Sequence, residues 1–268
     1  MPYATVNGIK LYYEVHGDGF PLVMIMGLGA DTNWWPPRII EEFSKDYKVV
    51  VFDNRGAGRS DKPDTKYTID LMADDVLGLM DHLGVRKAYI LGVSMGGMIA
   101  QSLAIRYPEV VRKLVLCVTS PGGPEAVPPR PEAMEQLLLD RSSVSVEVLA
   151  EMLIQTLLTE DYVKQHYEEL KPYILRALQY PIPSHAYMRQ LEAISEFDTY
   201  DELDKIKAPT LVISGGKDII VPHENGRILA RKIPNSKLII FEYSGHGLIL
   251  QETDRFISVV KKFLKNDP

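Results

Sequence analysis

Cysteine is almost missing from this chain: Cys117 is the only one in 268 residues. One thiol excludes a disulfide framework and a cysteine-rich metal site. It sits in Lys113-Leu114-Val115-Leu116-Cys117-Val118, an apolar run that reads as a core strand with a buried structural thiol. No run of Lys and Arg is present, and the formal net charge of −6 argues against nucleic acid or an anionic membrane as partner. The longest apolar window, residues 22–30, is too short to cross a bilayer, so no membrane insertion is expected. The first residues lack the basic start and apolar core of a secretory signal, and a cytoplasmic location is the expectation. No His/Cys cluster has metal-ligand spacing. Gly27-Leu28-Gly29 has Thr32 where a dinucleotide fingerprint needs its third glycine, and Gly216-Lys217 runs into Asp218 rather than Ser or Thr. The reading therefore requires no cofactor and no metal.

What is present is centred on Gly92-Val93-Ser94-Met95-Gly96. An apolar run of strand length leads into it, and a pattern of helical period leads out. A serine at the tip of a sharp strand–turn–helix is the arrangement of a nucleophile elbow. The backbone there is strained, and the flanking positions need residues without a Cβ. The bare pentapeptide arises by chance in roughly one such chain in fifteen. Its context is what raises it above a glycine-rich turn.

The rest of the chain alternates strands and helices. Residues 4–6 and 9–15 flank Asn7-Gly8, a hairpin turn signal. Residues 21–26 and 47–52 are continuous apolar runs, as expected of interior strands, with a helix between them ending near Lys45. Thr68 is placed to cap a helix whose inner face is Ile69, Ala73, Val76, Met80 and Leu83, leaving Asp74, Asp75 and Asp81 off that face; Gly84 is its stop. After the elbow and the Cys117 strand the pattern breaks. From Pro121 to Asp204 no strand is expected, only proline-rich connections and helices over about 132–140, 145–158, 161–177 and 184–195. Strands over 208–213 and 237–242 then resume, with a helix over 223–232 started by Pro222 and a terminal helix over 253–265. The expectation is an α/β fold with a mostly parallel sheet covered by helices on both faces. Residues 1–120 and 205–268 would form the core, and residues 121–204 a helical cap inserted in it.

In a parallel sheet functional groups gather at the carboxyl ends of the strands. Those ends are Gly27-Leu28, Asp53, Ser94, Thr119-Ser120, Asp218 and His246. A serine hydroxyl needs a base to remove its proton during attack, and His246 fits that role and that of the acid for the leaving group. Asp218 would orient the imidazole. The backbone N–H groups of Leu28 and Met95 would serve as oxyanion donors. Competitors are weaker by position: His16, His82, His166, His185 and His223 do not combine a late position with a strand-end loop, and Asp198, Asp201 and Asp204 precede their strand. Asp53 and Arg55 read as a loop-anchoring network. Trp34 and Trp35 read as walls of an acyl pocket or as packing under a loop.

With Ser94, Asp218 and His246 in that order, the chain resembles the α/β-hydrolase superfamily over nearly its whole length. Further matching segments are Asp53-Asn54-Arg55-Gly56-Ala57-Gly58-Arg59-Ser60, Gly215-Gly216-Lys217-Asp218 with Pro222, and Ser244-Gly245-His246-Gly247. It looks most like small lidded serine carboxylesterases, near enol-lactonases and polyketide methyl-esterases. The resemblance implies hydrolysis of a small acyl ester through an acyl-Ser94 intermediate. Lactones, thioesters and perhydrolysis use the same groups, and a catalytically idle binding protein is the rival from another class. The family's usual His-Gly before the first oxyanion donor is Met26-Gly27 here, which removes a polar contact from that loop.

Overall fold

The computed structural model describes residues 2–139 and 141–265. Its frame is one eight-stranded sheet. β1 (Tyr3–Val6) and β2 (Ile9–His16) form the hairpin, and Asn7 and Gly8 both take positive φ in its turn. β3 (Phe20–Ile25), α1 (Pro37–Ser44), β4 (Tyr47–Phe52), α2 (Ile69–His82), β5 (Ala88–Val93), α3 (Met95–Arg106) and β6 (Val111–Cys117) follow. After a helical excursion come β7 (Thr210–Gly215), α8 (Glu224–Lys232) and β8 (Ser236–Phe241). The spatial order is β1-β2-β4-β3-β5-β6-β7-β8, with β1–β2 and β2–β4 antiparallel and every later pair parallel.

The continuous apolar runs are continuous because both faces of these strands are covered. Alternate residues go to opposite layers. Val23, Val50, Ile90 and Leu114 share one layer with residues of α2 and α3, whereas Met24, Val51, Leu91 and Val115 lie in the layer that holds Phe43 of α1. Burial of a side chain of this size contributes about 2 kcal/mol, so the two layers carry most of the fold's stability. Phe256 and Val260 of the last helix belong to the second layer.

Between β6 and β7 the described residues hold α4 (Pro131–Leu137), α5 (Val146–Leu157), α6 (Glu160–Ala177) and α7 (Ser184–Ser195). The first of these stops short of the expected 132–140, and Asp140 lies outside the described residues. α5 and α6 close their own apolar cluster around Ala150, Ile154, Leu170 and Ile174. A single bridge, Gly122 to Asp198, joins the entry and exit of the excursion.

One local expectation needs refinement. Asp75 does not face solvent: it is buried, receives Arg55 through two hydrogen bonds of 2.7 and 2.8 Å, and accepts from Asn7 Nδ2 at 2.9 Å. After His246, the short α9 (Leu248–Gln251) precedes the terminal α10 (Thr253–Lys265), which keeps the expected bounds.

Candidate active site

Ser94 stands at the junction of β5 and α3 with φ 57° and ψ −122°, a strained conformation costing on the order of 1–3 kcal/mol. The surrounding chain holds it there. The Ser94 N–H donates to the Cys117 carbonyl at 2.9 Å, and its own carbonyl accepts from Gly97 N–H at 2.8 Å and Thr119 Oγ1 at 2.8 Å. The adjacent Val118 also has positive φ, at 44°, and its N–H donates to the Ile213 carbonyl at 2.8 Å. Glycine is required by contact as well as by strain: a Cβ on Gly92 would lie 2.2 Å from the Gly96 carbonyl oxygen, and one on Gly96 would lie 2.2 Å from that of Ile25.

Asp218 and His246 come together from the ends of β7 and β8. His246 Nδ1 donates to Asp218 Oδ2 at 2.8 Å, with both groups buried. A carboxylate oxygen that only accepts places the proton on Nδ1 and leaves Nε2 as the acceptor of the neutral ring. The other Asp218 oxygen accepts from the N–H groups of Ile220 and Val221 at 2.9 and 2.8 Å, which fixes the carboxylate plane. The histidine loop is tied to the helical excursion, since Gly247 N–H donates to the Leu157 carbonyl at 2.7 Å and Gln251 holds both Gly245 N–H and Thr159.

Ser94, His246, Leu28 and Met95 line one cavity of about 560 Å³. Among the described residues the N–H groups of Leu28 and Met95 have no hydrogen-bond acceptor, and Ser94 Oγ makes no hydrogen bond. Met95 is the first residue of α3, so its N–H is one of the donors a helix start leaves free. Trp34 lines the cavity, whereas Trp35 is buried in the second core layer. His185 is exposed and contacts the Lys62 carbonyl.

The loop carrying Leu28 is held by residues that periodicity and motifs did not single out for this role. Asn54 Nδ2 donates to the Met26 carbonyl at 2.8 Å. Gln190, fully buried on α7, accepts the Gly29 N–H at 2.8 Å and donates to the Arg55 carbonyl at 2.7 Å. These contacts fix the loop in a chain that has Met26 in place of histidine. Gln190 had a legible signal: with Ala186, Tyr187 and Ala193 it marks the buried stripe of its helix. Beneath them, Asp53 accepts from Thr32 N–H, Arg59 N–H and Arg59 Nε at 2.7–3.0 Å. Burial, reinforced by Asp53, pushes the neighbouring Asp31 carboxyl up to about 6. Burial also raises the Cys117 thiol above its ordinary range, consistent with an inert core thiol. Among the described residues no group of three His, Cys, Asp or Glu is placed to hold a metal ion, and no helix is long and apolar enough to cross a membrane.

The model of the alpha/beta hydrolase fold family matches residues 21–253. The chain belongs to that family. It is a hydrolase of small molecules, with the expected mostly parallel sheet. A relative from Caulobacter sp. (strain K31), named "Putative carbamate hydrolase RutD", is 32% identical over 100% of this chain and 99% of its own length. Among solved structures, the enol-lactonase from Burkholderia xenovorans LB400 is 30% identical with a TM-score of 0.86, covering 99% of this chain and 100% of that one. A thermophilic esterase from Thermogutta terrifontis is 30% identical with a TM-score of 0.83, covering 98% and 97%.

Proposed function

We propose that the protein is a serine hydrolase of carboxylic esters acting through an acyl-Ser94 intermediate. The observation that carries this reading is the His246–Asp218 pair at 2.8 Å, opening on the same cavity as an elbow serine. Ser94 Oγ attacks the ester carbonyl while His246 Nε2 takes its proton. The tetrahedral oxyanion is received by the free N–H groups of Leu28 and Met95. His246 returns the proton to the departing alcohol, and the same base then activates water to release the acid and free Ser94. Asp218 keeps the imidazole oriented and stabilises its protonated form, a role for which its two backbone donors preorganise it. Residues 121–204 act as a cap that supplies Leu153, Leu157 and Met188 to an apolar acyl pocket.

Lactone hydrolysis is the second reading, favoured by the likeness to the enol-lactonase. It changes the leaving group into a tethered alcohol and leaves every role unchanged. The carbamate named for the Caulobacter relative would likewise use the same attack.

Stoichiometric labelling by an alkyl phosphonate, mapped by peptide mass to Ser94, tests the mechanism. Ser94→Ala is expected to abolish labelling and to lower kcat by roughly 10⁴-fold or more. Undiminished labelling of the variant, or none of the folded wild type, would sink the proposal. A rate profile over esters, lactones, thioesters and carbamates separates the substrate readings: an optimum for lactones transfers the assignment to the second.

A further inference from the structure

Three large apolar side chains of the helical excursion line the active-site cavity and also meet solvent. Met134 and Leu138, one turn apart, lie on one face of α4 and its C-terminal cap, and Met188 stands on α7. They are 37%, 62% and 45% exposed. A lone exposed leucine or methionine is ordinary. Here all three belong to the wall of the cavity that holds Ser94 and His246, so they mark an apolar lip where that cavity opens.

The rest of the opening offers little to a charged ligand. Among the described residues its other exposed members are Gly123, Pro128, Glu192 and Ser195. Glu192 Oε2 already takes Arg189 at 3.0 Å, and the Ser195 hydroxyl donates to the Glu192 carbonyl at 2.8 Å. Further in, Arg141 is turned onto Tyr187, with its guanidinium carbon 4.0 Å over the ring and Nη2 donating to the hydroxyl at 3.0 Å. Glu132 and Glu135 are exposed on α4, and with a net charge of −6 they disfavour an anionic lipid surface as the occupant of the lip.

Size completes the argument. A cavity of about 560 Å³ equals the liquid volume of roughly eighteen water molecules, and a chain methylene is of similar bulk. An acetyl or butyryl group leaves most of that space unfilled. Apolar walls left without a partner forfeit the transfer and dispersion gain that a longer chain collects.

We propose that the preferred substrates carry one neutral, unbranched acyl chain of about eight to twelve carbons, which fills the cavity from Ser94 and rests its end on the lip of Met134, Leu138 and Met188. This rests on the acyl-Ser94 reading above. The two methionines are unbranched and adaptable, so the lip can close over chains that end at different points.

The test is a chain-length series of p-nitrophenyl esters from butanoate to decanoate, each assayed below the concentration at which it aggregates. Wild type should gain roughly threefold in kcat/KM per added methylene, so that decanoate exceeds butanoate at least thirtyfold. Met134→Ser combined with Leu138→Ser should cut the decanoate-to-hexanoate ratio at least fivefold, mainly through KM of the longer ester. A wild type indifferent to chain length or favouring butanoate, or an unchanged ratio in the double variant, overturns the proposal. So does a rate that appears only once the ester aggregates, which would make the lip a docking face for a lipid surface. If circular dichroism finds the double variant unfolded, wild type decides alone: 1-decanol should inhibit butanoate hydrolysis at concentrations at least tenfold lower than 1-hexanol, and equal potency overturns it. If no ester is turned over and phosphonate does not label Ser94, the hydrolytic reading has failed separately. Calorimetric titration with the two alcohols then judges the chain site: binding at least tenfold tighter for 1-decanol supports it, and equal or absent binding overturns it.

Discussion

Gln190 and Gly29 are joined by a 2.8 Å hydrogen bond from the glycine N–H to the glutamine side chain, across 161 positions of sequence. The same side chain donates to Arg55, so one buried amide links the excursion helix α7, the loop bearing Leu28 and the loop after β4. Gln190→Met preserves length but strands an N–H and a carbonyl. Stability should fall by about 2 kcal/mol in urea denaturation. Ester turnover should fall roughly tenfold in kcat with little change in KM, because a displaced loop misplaces an oxyanion donor without emptying the pocket. A wild-type kcat at saturating ester would remove Gln190 from loop positioning.

The buried Asp31 makes stability depend on pH. Burial, then Asp53, raises its carboxyl from 3.8 to about 6. The folded protein therefore binds this proton more tightly than the unfolded chain, and stability is lost as pH rises from about 4 through 6. Asp31→Asn keeps the oxygen that accepts Asn33 N–H and removes the charge. The variant should gain on the order of 2 kcal/mol relative to wild type at pH 8, and little at pH 4. Thermal melts of both proteins at the two pH values are the check; an equal difference at both contradicts it.

Two glycine substitutions should differ sharply. Gly92→Ala places its methyl 2.2 Å from a backbone oxygen of the elbow, so β5 or α3 must move, at a cost of about 3 kcal/mol and with loss of activity. Gly84→Ala meets nothing within 4 Å and carries only the strain of φ +66°, about 1 kcal/mol. Guanidinium titration with parallel ester assays tests the pair. Equal midpoints would mean that the elbow relaxes around a methyl group.

The strands were legible because burial on both faces leaves an uninterrupted apolar run, and their ends fall within about two residues of expectation. The pairing of Asp218 with His246 was legible for a related reason: both terminate such runs, so topology alone places them on one rim of the sheet. Asp75 was not. Its place off the apolar face of the helix was right, but its burial was not foreseen, because its partner Arg55 approaches from a loop 20 positions earlier. Gln190's place on a buried stripe was readable from its spacing, but its partners were not, since tertiary packing brings them.

The excursion between β6 and β7 has a further property. It leaves and returns between neighbouring strands, and its two roots are sewn to each other: Gly122 bridges Asp198, Gly123 N–H donates to Phe197, and Thr199 N–H donates to Pro121. A segment closed at its own base can change in length without parting the two strands it springs from. Its hold on the site runs instead through cross-ties, Gln190 to the loop bearing Leu28 and Leu157 to the loop of His246, so new pocket walls are compatible with the placement of Ser94 and His246 where those ties are kept.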